Sequence, residues 1–180
     1  MYLPKSPWVL ISKAILLALL LWVAACEPQG EVIEQKNQFG GKTLRQAQDL
    51  RSRLQERTTY YDDQGRERFE VRIPLEEAAA NLGFNRQEVK WFEMGKIQED
   101  LRFSPEELPN ERQYLRYLRR FDESGKIVYA EVDFKESAVE KLGYKSVHVF
   151  YNQDDDPQKV VYFDAQGNQL GTKRVSSAQN

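Results

Sequence analysis

Beyond residue 42 the apolar positions follow two different rhythms. Thr43 and Gln46 stand at the spacing of a capping box, and Leu44, Ala47, Leu50 and Leu54 then recur every three to four residues. That spacing predicts an amphipathic helix over about 44–56. Its other face would carry Arg45, Arg51, Arg53 and Arg57 as a solvated surface. After residue 57 the rhythm changes to a period of two. Phe69, Val71 and Ile73 fall on one face, and Ile127, Tyr129 and Glu131 alternate with Val128, Ala130 and Val132, as strands require. Helical spacing returns in 75–82, through Leu75, Ala78, Ala79 and Leu82, and in 135–142, through Ala138, Val139 and Leu142. Both stretches end at a glycine, Gly83 or Gly143, suited to a left-handed C-cap. Pro74 suits a first helical turn, and Asp133 with Glu136 predicts an acidic capping box.

These elements recur at an offset of 60 residues. Tyr61-Asp62-Asp63-Gln64-Gly65-Arg66 matches Phe121-Asp122-Glu123-Ser124-Gly125-Lys126. Further on, Glu76, Ala78, Leu82, Gly83, Phe84, Val89 and Trp91 meet Glu136, Ala138, Leu142, Gly143, Tyr144, Val149 and Tyr151. Phe163-Asp164-Ala165-Gln166-Gly167-Asn168 is a third copy of the turn. Aspartate bonds the backbone two residues on and glycine accepts positive φ, so each copy predicts a hairpin loop rather than a calcium loop. Asp154-Asp155-Asp156-Pro157 reads as a solvated connection. Unit one is expected as helix 75–82 with strands near 87–93, 113–121 and 126–133. Unit two is expected as helix 135–142 with strands near 146–151, 158–163 and 168–174. The fold class that follows is α+β: two tandem helix-strand-hairpin repeats forming an antiparallel sheet, short helices on one face, preceded by the amphipathic helix.

The first 25 residues differ in kind, holding 19 hydrophobic residues and no carboxylate. Lys5 and Lys13 precede a ten-residue apolar run, Ala14 to Val23. A membrane-spanning helix needs about 20 such residues, whereas a secretory signal needs about 7–15. The run ends in Val23-Ala24-Ala25-Cys26, which resembles the lipobox of bacterial lipoproteins. The resemblance implies cleavage before Cys26, diacylglyceryl transfer to its thiol and acylation of the freed amine. Each buried methylene would contribute about 0.8 kcal/mol to that anchor. Glu27 rather than aspartate follows the cysteine, so the resemblance implies the outer membrane, periplasmic face. Three glycines, a proline and no apolar period make 26–42 a flexible tether. The organisation expected is signal peptide 1–25, tether 26–42, helix and first hairpin 43–74, units at 75–134 and 135–175, and a disordered tail 176–180.

Composition narrows the chemistry. The chain carries 26 basic and 28 acidic residues, for a net charge of −2, and leaving out Lys5 and Lys13 gives 24 against 28, which argues against nucleic acid as a partner. Cys26 is the sole cysteine and His148 the sole histidine. The inventory therefore implies no metal site, no cofactor and no catalytic triad; no Gly-x-Ser-x-Gly elbow or phosphate loop is present. His148 alternates with Val147, Val149 and Phe150 and reads as a packed strand residue. One segment, 112–120, departs from the acidic background with four arginines and two tyrosines. Tyr114, Arg116, Tyr117, Arg119 and Arg120 are its candidate interaction residues, because arginine and tyrosine are enriched at interface hot spots.

A short helix ending in Leu-Gly, an aromatic strand and a hairpin closed by aromatic-Asp-x-x-Gly resemble small envelope modules. These are the small lipoproteins of the barrel-assembly complex, the tandem beta-lactamase-inhibitor proteins and the PepSY-like domains. Asn85 and Lys145 depart from the proline common soon after Leu-Gly in the first of these. The resemblance implies a protein-binding role. The expectation is a non-enzymatic, lipid-anchored envelope lipoprotein with a protein partner, acting in assembly, inhibition or scaffolding. The alternative is an envelope enzyme or ligand-binder acting on glycan or lipid through a carboxylate pair or the Arg-Tyr segment.

Overall fold

The structure, a computed structural model, describes residues 31–37, 40–49, 51–108 and 113–175. The signal segment, Cys26 and the 176–180 tail lie outside the described residues. The strands are β1 (Val32–Lys36), β2 (Lys42–Asp49), β3 (Leu54–Tyr61), β4 (Glu67–Pro74), β5 (Arg86–Trp91), β6 (Ile97–Phe103), β7 (Tyr114–Phe121), β8 (Ile127–Phe134), β9 (Ser146–Tyr151), β10 (Pro157–Phe163) and β11 (Gln169–Arg174). Each pairs antiparallel with the next, giving one sheet in chain order from β1 to β11. Two seven-residue helices, α1 (Glu76–Leu82) and α2 (Glu136–Leu142), join β4 to β5 and β8 to β9. The architecture is therefore mainly β, which corrects the α+β class expected from the sequence.

Two predicted elements change type. The described residues of 44–56 form no helix: β2 runs to Asp49, a turn occupies 51–53, and β3 begins at Leu54. The apolar spacing there suited a helix, but a ladder pairing Leu44 with Thr59 and Ala47 with Glu56 satisfies the backbone instead, and tertiary pairing overrides local preference. The expected tether contains β1, which pairs Ile33 with Arg45 and Gln35 with Thr43.

The repeat is present, but its unit is framed differently from the one expected. β3, β4, α1, β5 and β6 recur as β7, β8, α2, β9 and β10, each displaced by 60 residues. The unit is thus hairpin, helix, hairpin, over 54–103 and 114–163, rather than the helix-strand-hairpin units 75–134 and 135–175. Even the strained positions agree. Arg53 and Gln113 both have φ 55, and their carbonyls accept the N–H of Leu75 (3.0 Å) and Lys135 (2.8 Å) ahead of the two helices. Gly83 and Gly143 are the left-handed C-caps foreseen. The acidic capping box does not form: Asp133 lies in β8 against Arg116, and the Glu136 N–H donates to Glu106 Oε1 at 3.1 Å.

Within the unit lies a finer period of 30. Asp62 Oδ1 accepts from the N–H groups of Gln64 and Arg66 at 3.0 and 2.9 Å, and Asp122 Oδ1 from Ser124 and Lys126 at 2.9 and 3.0 Å. Asn152 does the same for Asp154 and Asp156 at 2.8 and 2.9 Å. So the expected loop at 154–157 is a hairpin turn, with Asp155 (φ 62) where the others have glycine. The turn at 92–96 closes with backbone bonds alone. Turns at 62, 92, 122 and 152 share one end of the sheet and are tied to their neighbours. Lys96 Nζ donates to the Ser124 carbonyl at 3.3 Å, and the Ile127 N–H to Asp155 Oδ1 at 2.9 Å.

Candidate functional site

Residues paired directly across antiparallel strands share a face. One row reads Thr59, Glu70, Val89, Asp100, Arg119, Ala130, Val149, Val160, and a second on the same face reads Arg57, Arg72, Gln87, Arg102, Tyr117, Val132, Val147, Tyr162. The face changes character along the sheet. Beyond Tyr117 it is apolar, with Ala130 and Val147 buried and Tyr162 against Tyr144 at 4.9 Å between ring centres. Before Tyr117 it is charged.

Glu70, fully buried, lies between two arginines. Arg72 donates through Nε and Nη2 at 2.6 and 3.1 Å, while Arg57 brings Nε to 2.7 Å and donates through Nη2 at 3.3 Å. Asp100, 5 % exposed, repeats the arrangement between Arg102 and Arg119, with Gln87 donating at 2.8 Å. Burial by itself raises the Asp100 carboxyl, but the Gln87 and Arg119 hydrogen bonds and the charges of Arg102 and Arg119 outweigh it and hold it below the ordinary range. Arg102 lies over the Phe84 ring at 5.2 Å, and Arg119 over Tyr117 and Phe121 at 5.7 and 5.6 Å. Of these groups Arg57, Glu70, Arg72, Gln87 and Arg102 floor a cleft of about 520 Å³ whose walls include Leu54, Pro74, Leu82 and Phe84. Arg57, placed by the sequence on a solvated helix, is in β3 and belongs to this cleft.

The opposite face carries a second network. Lys90 and Glu99 meet at 2.8 Å, Glu99 and Arg120 at 3.1 Å, and Arg120 lies over Tyr129 at 5.5 Å. The Tyr129 hydroxyl donates to Glu131 at 2.9 Å; burial and that bond push its pKa up. Arg116 joins Glu131 and Asp133. His148 sits between Tyr129 and Phe163, at 5.7 and 4.4 Å between ring centres, with Nε2 4.0 Å from Glu131.

The five candidate interaction residues therefore form no single patch. Tyr117 and Arg119 point to the cleft face, and Arg116 and Arg120 to the other. Tyr114 is buried at 5 % exposure beside Tyr117. Sequence reasoning missed Glu70, Arg72, Asp100 and Arg102 altogether. Their signal is an acid-x-Arg triplet repeated at offset 30, Glu70-Val71-Arg72 and Asp100-Leu101-Arg102, where the later copies read Ala130-Glu131-Val132 and Val160-Val161-Tyr162. β6, which carries the second triplet, was not predicted because Glu99-Asp100 masks its alternation.

Fold and site define a class: a single-layer antiparallel ladder built from a duplicated hairpin-helix-hairpin unit, with one arginine-carboxylate half. The sequence matches no protein-family model and has no significant match among curated proteins.

Proposed function

We propose that this protein is a lipid-anchored, periplasm-facing envelope lipoprotein, held at the outer membrane through Cys26, whose β-ladder is a protein-interaction module. The anchor rests on the short apolar run and Val23-Ala24-Ala25-Cys26. The interaction role is supported by the open single sheet, where large apolar side chains stand exposed on strands: Val32 and Ile33 on β1, Phe150 on β9 and Leu170 on β11. The alternative, chemistry on glycan through a carboxylate pair, calls for an acid whose pKa is raised. Among the described residues every carboxyl with a resolved shift is displaced downward, Asp100 and Glu131 included.

Two measurements test this reading. Cys26→Ser should abolish fatty-acid labelling and release the chain from membranes; continued labelling sinks the anchor. A photo-crosslinking residue at Ile33, Phe150 or Leu170 in the anchored chain should capture one discrete protein species. Capture of nothing at all three positions removes the interaction role.

A further inference from the structure

The duplicated unit supplies an internal control for the charged half of the sheet. At equivalent positions the first unit has Arg57, Glu70, Arg72, Gln87, Asp100 and Arg102, where the second has Tyr117, Ala130, Val132, Val147, Val160 and Tyr162. The second unit forms the same strands, registers and helix with those apolar residues. The charges are therefore not needed to build the fold. Nor does stability require them, because a buried arginine-carboxylate cluster replaced by apolar side chains of similar volume is often neutral or more stable. A group retained at no gain to the fold is a candidate for recognition.

Its geometry says of what. Arg57, Arg72 and Arg102 each turn the Nε and Nη2 edge to a carboxylate, and the Nη1 end of each makes no hydrogen bond among the described residues. The two carboxylates thus act as struts that hold the guanidinium planes. Glu70 is the one carboxylate among the lining residues, and even with Asp100, paired with Arg102 at 3.1 Å, counted beside it, three arginines against two carboxylates leave the cleft positive, although the chain is acidic as a whole. Planar forks with free N–H ends suit phosphate oxygens. Leu54, Pro74, Leu82 and Phe84 offer an apolar wall beside them, and Leu82 is half exposed.

We propose that the cleft beneath α1 binds a phosphate-bearing ligand, the phosphate against the Nη1 ends of Arg57, Arg72 and Arg102 and the carbon skeleton against Phe84 and Leu82. The site does not depend on the anchor or on a protein partner. The second unit, with Tyr117, Val132 and Tyr162 in those places, has no counterpart of it.

The test is calorimetric titration of the full chain in nonionic detergent with two probes, inorganic phosphate and dihexanoylphosphatidylglycerol. Binding of both, the lipid more tightly, supports a phosphate site with an apolar wall. Binding of the lipid alone supports the site and assigns its source to a headgroup; binding of inorganic phosphate alone supports it and assigns a small soluble phosphate compound. Arg72→Gln with Arg102→Gln should weaken whichever probe binds at least tenfold while the melting curve stays cooperative. Should that variant not fold, Arg72→Lys with Arg102→Lys keeps the charge and loses the fork, and a several-fold loss is expected. Absence of binding by both probes into the millimolar range, or affinity in the folded variant within twofold of the parent, overturns the proposal.

Discussion

Lys135 is 2 % exposed, and its ammonium donates to three carbonyls of the segment after β6: Pro105 at 2.8 Å, Glu106 at 3.0 Å, and Leu108. Three donors meet three acceptors, which is what makes burial of the charge tolerable. At the equivalent place in the first unit stands Leu75, so an apolar chain fits the site. Lys135→Met should therefore keep the fold and lose the strap on 104–108, lowering stability by about 1–3 kcal/mol. Urea unfolding measures the loss, and hydrogen exchange should rise at Ser104 and Leu108, whose N–H groups bond Leu115 and Pro105. Exchange unchanged at both would show that Lys135 does not hold this segment. The sequence did not disclose the role, since a lysine before a helix suggests a solvated charge and its partners lie 27 to 30 residues away.

Among elements, β6 carries the most unusual burden: its Asp100 compensates Arg102 within the strand and Arg119 on β7. Asp100→Asn removes the charge and leaves two partly buried guanidiniums uncompensated, which should cost about 2–3 kcal/mol near neutral pH. Because the folded carboxyl lies below the ordinary aspartate value of 3.8, its contribution is present above that value and is lost as pH falls through the folded value. Asp62, Asp122 and Asp164 carry the same sign, held low by hydrogen bonds within their turns: first the Arg66 N–H, the Ser124 hydroxyl and the Asn168 side chain respectively. The parent should lose stability on acidification below about pH 4, and Asp100→Asn should show a shallower acid limb in pH-dependent denaturation. An acid limb of equal depth would remove Asp100 from this account.

For the whole molecule, a ladder in which each strand packs on its neighbours distributes stability along the chain, as in repeat proteins. Its end strand β11 is polar except for Leu170, with Gln169, Thr172, Lys173 and Arg174, and shields β10, where Val160, Val161 and Tyr162 follow one another. Charged residues on an outermost strand discourage further pairing. Ending the chain at residue 168 should lower the melting temperature by a few degrees, as loss of one terminal interface does. It should also raise the sedimentation coefficient with concentration relative to the parent. A truncated chain that sediments and melts like the parent would show that β11 neither shields nor supports.

What the sequence alone determined is local. The Asp-x-x-Gly turns, the glycine ends of both helices, the strands from β7 onward and the 60-residue recurrence were legible because each depends on contacts within about five residues or on self-comparison. Only the tertiary structure decided the rest. Residues 44–49 and 54–56 became strands because a neighbouring strand was there to pair with. Arg57, Glu70 and Arg72 met because strand register set side by side groups up to 15 residues apart in the chain. Arg116 and Arg119, three residues apart on β7, went to opposite faces because side chains alternate along a strand. Local hydrogen bonds are written residue by residue, whereas faces and partners depend on register, which the chain acquires only when its strands align.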